Sequence, residues 1–453
     1  MRLANKNVVV FGLGKSGREL VDFLCYKKAN VFVYDDKAEK VSIYLNDSRK
    51  ITILKNLCEL NLKIMDIMVV SPGVSIYNEG VKLAILIGVK VYGELEFANK
   101  FIKKNKIAVT GTNGKTTTVS LIKSMFDEAG KKSVLAGNIG EPVIGFVNKK
   151  SKNYIMEVSS FMLETIDTFQ PHIACILNIS NDHLDRHYTF ENYLKTKLKI
   201  SKNMSSKDYL VLNYEDENLR RYADEVIKPK IVWFSAVREV EGAFIKEGCI
   251  LYKTGKKTYY ICDCNDINLL GEHNKENVLC AVCVAMLSKI KTCFIKSAIK
   301  KFLPLEHRLE FVAEINGVKY YNDSKSTTVD STLKAINSFS SKMILLVGGY
   351  DKQDDYNRLA KNTNSIVRIT VIFGDNKNKI KECYERYHKP YLLANTLKEA
   401  LTRLNSVVES GDTVLLSPSC ASYDEFLNFE ERGKFFKNYV RELNEKNNVK
   451  IGK

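Results

Sequence analysis

Residues 107–130 read IAVTGTNGKTTTVSLIKSMFDEAG, and the fold follows from how this stretch changes character along its length. An apolar, β-branched run ends at a glycine, a short polar loop carries a second glycine and a lysine, and a helical pattern then runs to Gly130. Strand, glycine-rich loop and helix in that order let loop amides wrap phosphate oxygens at a helix N-terminus. Gly111, Thr112, Asn113, Gly114, Lys115, Thr116 and Thr117 form the candidate nucleotide loop, with Lys115 for the β/γ-phosphates and Thr116 for Mg²⁺. The loop departs from the general GxxxxGK[ST] pattern, because Val109 stands in place of the first glycine. A turn that merely reads GKT is the plain structural reading.

The same alternation extends in both directions. Upstream, NVVVFG (7–12) leads through Gly12-Leu-Gly14-Lys15-Ser16-Gly17 into a helix at 18–26 and a second strand, VFVYDD (31–36), ending on Asp35 and Asp36. That GxGxxG suits a diphosphate at a helix N-terminus, with Asp35 reaching a sugar hydroxyl. By itself it leaves open a nicotinamide or flavin cofactor, another nucleotide, or a tight turn. IMVV (67–70) ends in the turn Ser71-Pro72-Gly73. Downstream, YIMEVSS (154–160) and IACILNIS (173–180) are continuous apolar runs, as expected of parallel strands covered on both faces. The stretch KFLPLEHRLEFV (301–312) reads as a linker into a third block with strands at 342–349, 368–374 and 412–418. The expectation is three α/β domains in series: a Rossmann-like domain over 1–93, a P-loop ATPase-like domain over 94–303 and a Rossmann-like domain over 304–453.

Composition narrows the class. The chain has 453 residues, 45% apolar and 27% charged, enough for several cores. Its longest apolar run, Val278–Leu287, is too short to span a bilayer, and the N-terminus lacks a signal-peptide pattern, which points to the cytoplasm. The net charge of +16 divides as +5, +8 and +3 over the three segments, a diffuse excess rather than a nucleic-acid-binding face. Lysine clusters at 103–106 and 149–152 read as solvated turns. Eleven scattered cysteines suit reduced core thiols, Cys280 and Cys283 included.

Further polar residues stand where parallel strands end. Glu157 and His183 suit a divalent cation near transferring phosphate, although a single Glu or His is more often structural. Asn274 caps the helix 274–287 in this reading, with Asn277 in its first turn. Arg308, the loop Asp323-Ser-Lys325-Ser-Thr327 and the loop around Ser422 suit an anionic substrate. A nicotinamide oxidoreductase would use only the first glycine motif, and a nucleic-acid-dependent ATPase only the second.

FGLGKSG, SPG, TGTNGKTTT, AGNIG, EVSSFMLE, NISNDHLDRH, YLKTKLKI, GEHNKEN, EHRLE, NDSKSTT, LLVGGYDK and LLSPSCASYDEFLNFEERG occur in this order along the chain. As a set they resemble the bacterial Mur ligase family over essentially the whole length. The resemblance implies an ATP-dependent ligase of peptidoglycan precursor synthesis that adds D-glutamate to UDP-N-acetylmuramoyl-L-alanine through an acyl phosphate. It implies a monomer with small-molecule substrates, acting on no nucleic acid and no membrane. It assigns Gly14, Lys15, Ser16, Asp35, Asp36, Lys37, Ser71, Pro72, Gly73 and Asn138 to the UDP-substrate. Asn274, Asn277, Arg308 and Asp323 join the loop 111–117 on ATP. Thr116 and Glu157 are implied to hold one Mg²⁺, and His183 and a carbamylated Lys197 a second. Lys115, His183 and Lys197 are the implied catalytic residues. His183, Lys325, Thr327, Lys352, Ser422 and Phe429 are implied for D-glutamate. Because water would destroy an acyl phosphate, the third domain is expected to close over the middle one, with the linker near Leu303–Arg308 as the candidate hinge.

Overall fold

The structure is a computed structural model and describes residues 1–44, 49, 51–54, 62–103, 105–148, 152–351 and 353–451. Its strands form three sheets in sequence order. The first holds β1 (Asn7–Phe11), β2 (Asn30–Tyr34), β3 (Ile51–Ile53), β4 (Ile67–Val70) and β5 (Lys90–Gly93), all parallel, in the order β3-β2-β1-β4-β5. The order reverses at β1, and the crevice opened there lies at the strands' C-terminal ends, where Gly12–Gly17 and Ser71–Gly73 sit.

The second sheet comprises β6 (Asn105–Thr110), β7 (Ser133–Gly137), β8 (Asn153–Glu157), β9 (Ile173–Ile176), β10 (Tyr209–Asn213), β11 (Lys230–Ser235), β12 (Gly242–Lys246), β13 (Cys249–Thr254) and β14 (Lys257–Asp263). Its order is β14-β13-β12-β11-β10-β9-β6-β8-β7, parallel from β7 to β12 and antiparallel beyond. β6 lies between β8 and β9, so the ends of all three point to one place. There the residues are Thr110, Glu157 and Ile176.

The third sheet contains β15 (Glu310–Ile315), β16 (Val318–Asn322), β17 (Met343–Gly348), β18 (Val367–Phe373), β19 (Tyr391–Leu393) and β20 (Thr413–Leu416), in the order β15-β16-β20-β17-β18-β19. Only β15 runs antiparallel to its neighbour. β17 is buried at all six positions, and separate apolar clusters cover the sheet's two faces.

Two compact units result: Met1–Ile267 with Lys275–Lys301, and Asn268–Asn274 with Phe302–Lys453. Within the first unit the opening pair of domains share one core. Phe23, on the helix Lys15–Tyr26, meets Phe97 and Phe101 edge-on with ring centroids 6.3 and 4.9 Å away. The GxGxxG turn is tight: a Cβ at Gly17 would lie 2.0 Å from the Gly12 carbonyl oxygen, so only glycine lets helix and loop approach this closely.

Two sequence readings need correction. Lys106 is not in a solvated turn but in β6, where its ammonium donates to the Asn99 side chain at 2.7 Å and lies over the Phe169 ring. Burial lowers its pKa, against the pull of Glu96 and Asp208. Asn274 does not cap its helix. The helix spans Glu272–Leu287, and the Asn274 amide turns back to donate to the Leu270 carbonyl at 2.6 Å. Among the described residues no helix is long and apolar enough to cross a membrane.

Candidate active site

The loop after β6 is held from behind. Gly114 adopts φ +85°, and a Cβ there would come within 2.1 Å of the Asn277 side-chain oxygen. Glycine is therefore required on both counts. The Asn178 side chain accepts from the Asn113 amide at 2.9 Å and donates to its carbonyl at 3.2 Å. The Thr112 hydroxyl donates to the Ser180 carbonyl, accepts from the Ser180 amide and meets the Tyr193 hydroxyl at 3.1 Å. The N-cap of the helix Lys115–Glu128 is Gly114, which has no side chain to cap it, so the helix N-terminus borders the loop as a candidate anion site. Lys115 folds over that space, donating to the carbonyls of Gly111 at 2.8 Å and Thr112 at 2.7 Å.

Glu157, 2% exposed at the end of β8, links this loop to the next. One carboxylate oxygen accepts from the Thr116 hydroxyl at 2.9 Å, and the other accepts from the Asn138 amide at 2.8 Å. Two hard oxygen donors thus meet beside an anion-binding helix terminus. Magnesium fits such a place, since it binds one or two protein oxygens and completes its shell with phosphate and water. Lys197, 1% exposed, donates to the Gly111 carbonyl at 2.9 Å and lies over the Tyr193 ring. Burial, and then the neighbouring Lys115 ammonium, push the Lys197 pKa far below the usual lysine range, with Asp182 and Glu157 opposing. An ammonium cannot ligate a metal, but an uncharged lysine amine is a nucleophile. His183 stands in the left-handed region at φ 53°, its ring 4.8 Å from Phe161 and its Nε2 3.4 Å from Asp182.

A cavity of about 650 Å³ opens in the same unit. Gly14, Lys15, Ser16, Asp35, Asp36, Lys37, Ser71, Pro72, Gly73 and Asn138 all line it, so the structure gathers every residue expected for the UDP-substrate around one space. It is of the size that holds small ligands. Lys40, Asn78 and Glu94 line it too and were not anticipated. Asp35 is committed to the loop: its carboxylate accepts from the amides of Leu13 at 2.6 Å and Lys37 at 2.9 Å. Lys15 spans the cavity rim to the Gly140 carbonyl and lies 3.2 Å from Glu141.

In the second unit Asp323 is buried after β16, accepting from the Ser417 hydroxyl at 2.8 Å and the Leu309 amide at 3.2 Å. Burial raises its pKa from 3.8 to about 6, although these bonds and Arg308 favour the charged form. Arg308 lies within electrostatic reach of both Asp323 and His273, the residue before Asn274. The Lys325 ammonium sits 3.7 Å from the centre of the Phe429 ring. Thr327 is half-buried and Ser422 buried in neighbouring loops. Lys352 lies outside the described residues. Sequence reasoning missed Arg432. It is 1% exposed and donates at 3.0 Å to the carbonyls of Ser324, Cys420 and Ala421, tying the 323–327 loop to the 417–422 loop. Its place in FEERG was the available signal.

Three family profiles cover most of the chain: Mur ligase MurD-like N-terminal domain at residues 6–93, Mur ligase middle domain at 109–285, and Mur ligase glutamate ligase domain at 307–420. The chain is 43% identical to the UDP-N-acetylmuramoylalanine--D-glutamate ligase of Caldanaerobacter subterraneus subsp. tengcongensis, covering 98% of this chain and 100% of the relative. Among solved structures it is similar in fold to a pseudomurein peptide ligase type C from Methanothermus fervidus. That match has a TM-score of 0.61 and 17% identity, over 97% of this chain and 100% of the other. It is likewise similar to the MurF ligase of Thermotoga maritima in complex with ADP, with TM-score 0.61 and 15% identity, over 97% and 96% of the two chains.

Asp323 gives a pH prediction for the ligand-free protein. Its folded pKa is raised, so its contribution to stability is full below the unfolded value near 3.8 and is lost as pH rises through about 6. That rise corresponds to about 3 kcal/mol. Asp323→Asn is expected to remove that fall; comparing urea unfolding of variant and parent at pH 4.5 and pH 7 checks it.

Proposed function

The chain belongs to the Mur ligase family, and from that premise we propose that it joins D-glutamate to UDP-N-acetylmuramoyl-L-alanine in an ATP-dependent ligation of peptidoglycan precursor synthesis. The observation that carries this reading is the chain of contacts from Thr116 through Glu157 to Asn138, which connects a nucleotide loop to a cavity fit for a UDP-linked substrate.

A carboxylate resists amide formation because it is anionic and has no good leaving group. Phosphoryl transfer from ATP removes both obstacles: the carboxylate oxygen attacks the γ-phosphorus, the bond to ADP breaks, and an acyl phosphate forms. The deprotonated amine of D-glutamate then attacks the acyl carbon, and the tetrahedral intermediate collapses with loss of phosphate. Lys115 and the amides at the start of the helix Lys115–Glu128 offset the charge gathered during transfer. Residues 111–117 and Asn277 take the triphosphate, and Asn274, Arg308 and Asp323 are the second unit's ATP residues. Thr116 and Glu157 would hold one Mg²⁺, and His183 and a carbamylated Lys197 a second; bound there, magnesium supplies Lewis-acid stabilisation of phosphoryl charge. Gly14, Lys15 and Ser16 offer an uncapped helix N-terminus to the diphosphate, with Asp35 to Lys37, Ser71 to Gly73 and Asn138 completing that subsite. His183, Lys325, Thr327, Lys352, Ser422 and Phe429 receive D-glutamate. The corresponding domains are 1–93, 94–303 and 304–453, and the enzyme works as a cytoplasmic monomer on small molecules, apart from nucleic acid and membrane.

Phosphate release from ATP with UDP-N-acetylmuramoyl-L-alanine tests the assignment. D-Glutamate is expected to support release at least about 100-fold better in kcat/KM than L-glutamate, L-alanine, L-lysine or meso-diaminopimelate. Lys115→Ala should cost at least about 100-fold in kcat. Equal release with every amino acid would contradict the substrate, and full activity without Lys115 would contradict the mechanism.

The carbamate has its own test, because the depressed pKa of Lys197 favours the amine that adds CO2. Peptide mass measurement of protein trapped in CO2-rich buffer should find a carboxyl adduct on Lys197, and removing CO2 should lower activity. Unmodified Lys197 in enzyme whose activity ignores CO2 would refute the carbamate.

A further inference from the structure

The segment carrying His183 is a single helical turn, Leu184–His187, between two strained residues. His183 has φ 53°, and Tyr188 has φ 66° with ψ −41°, outside the favoured left-handed well for a residue with a side chain. Such backbone persists only where its surroundings hold it. Arg186, inside the turn, joins several of those surroundings. Its Nε and Nη2 donate to the two oxygens of Glu164 at 3.1 and 2.7 Å, and Glu164 is itself only 6% exposed. The guanidinium also donates to the Val74 carbonyl at 2.9 Å and the Gly73 carbonyl at 3.4 Å. Its face lies 5.1 Å from the centre of the Phe161 ring, whose own neighbours are His183 and His187.

Gly73 and Val74 line the cavity from the first domain, whereas Glu164, Phe161 and His183 belong to the central one. The planar fork thus ties the Ser71–Val74 turn, which lines the cavity, to the turn that carries His183. Tyr77 and Tyr188 repeat the connection, with ring centroids 6.1 Å apart.

We propose that Arg186 is a positioning residue that sets the spacing between the Ser71–Val74 turn and His183, and thereby aligns the reacting carboxylate of a substrate anchored by its diphosphate. The inference rests on the function proposed above. A guanidinium suits the task because it presents several donors in one rigid plane, so one side chain reaches a carboxylate and two carbonyls at once. A lysine at the same position keeps the charge but reaches one of these partners at a time. Loss of the fork frees the His183 turn to relax, while the diphosphate keeps its contacts at Gly14, Lys15 and Ser16.

Steady-state kinetics of Arg186→Ala and Arg186→Lys, with calorimetric binding of UDP-N-acetylmuramoyl-L-alanine, test this in the full chain. Misplacement of a reacting group by about an ångström costs on the order of 100-fold. Both variants are expected to lose at least about 30-fold in kcat, while Kd for the UDP-substrate and KM for ATP stay within about threefold of the parent. Added guanidinium should restore part of the kcat of Arg186→Ala and none of that of Arg186→Lys. A kcat within about threefold of the parent in either folded variant overturns the proposal. So does a loss in which kcat, Kd, KM for ATP and melting temperature all worsen together, since that marks a purely structural role. Should Arg186→Ala fail to fold, the kcat, Kd and KM of Arg186→Lys decide. A parent enzyme that makes no product from D-glutamate and the UDP-substrate counts against the proposed function, not against Arg186.

Discussion

Glu157 is a carboxylate kept almost entirely from water, and what holds it there explains much of the first unit. A buried carboxylate is costly unless polar partners surround it. Here the partners come from two different places: the Thr116 hydroxyl from the nucleotide loop and the Asn138 amide from the turn after β7. Both turns are therefore fixed relative to β8, and each borders a different ligand space. A hydrophobic residue at 157 would pack on the same strand but would leave Thr116 and Asn138 without a common anchor.

The sheet makes this convergence possible. In a parallel sheet every strand delivers its C-terminal residue to the same edge, and the order β9-β6-β8-β7 sets the loops after four strands side by side. Lys197 reaches the same edge from a helix, donating to the carbonyl of Gly111 that Lys115 also uses. Burial, and after it the repulsion between two lysine side chains on one carbonyl, makes the charged form of Lys197 unfavourable. The cost of assembling this edge is offset by the continuous apolar core beneath it, where β6, β8 and β9 are buried on both faces.

How much of this was readable from the residues depends on how far apart the partners lie in the chain. The strand-loop-helix at 107–130 and the GxGxxG at 12–17 were legible because their logic is local: apolar runs, glycines and helix starts occur within twenty-five residues. The ten residues around the cavity were named through motif order, and the structure places all of them on one wall system. The helix start at 272 was misjudged by two residues, since Asn274 fits a cap equally well by composition and only the direction of its bond to Leu270 shows otherwise. Lys106 looked solvated because a lysine cluster gives no hint of a phenylalanine sixty-three residues later. Arg186 and Arg432 were overlooked for the same reason. Each also reaches backbone carbonyls, which carry no side-chain signature, at separations of 112 and 108 residues.

Glu157 serving a magnesium-bound nucleotide is the interaction on which the nucleotide loop and the substrate cavity meet. The deciding measurement is calorimetric ATP affinity with and without Mg²⁺ in the parent and in Glu157→Gln, which keeps the shape and removes the charge. Magnesium should tighten ATP binding by about tenfold or more in the parent and by much less in the variant. Equal tightening in both would show that this carboxylate has no part in holding the metal, and the connection drawn here between nucleotide loop and substrate cavity would fall with it.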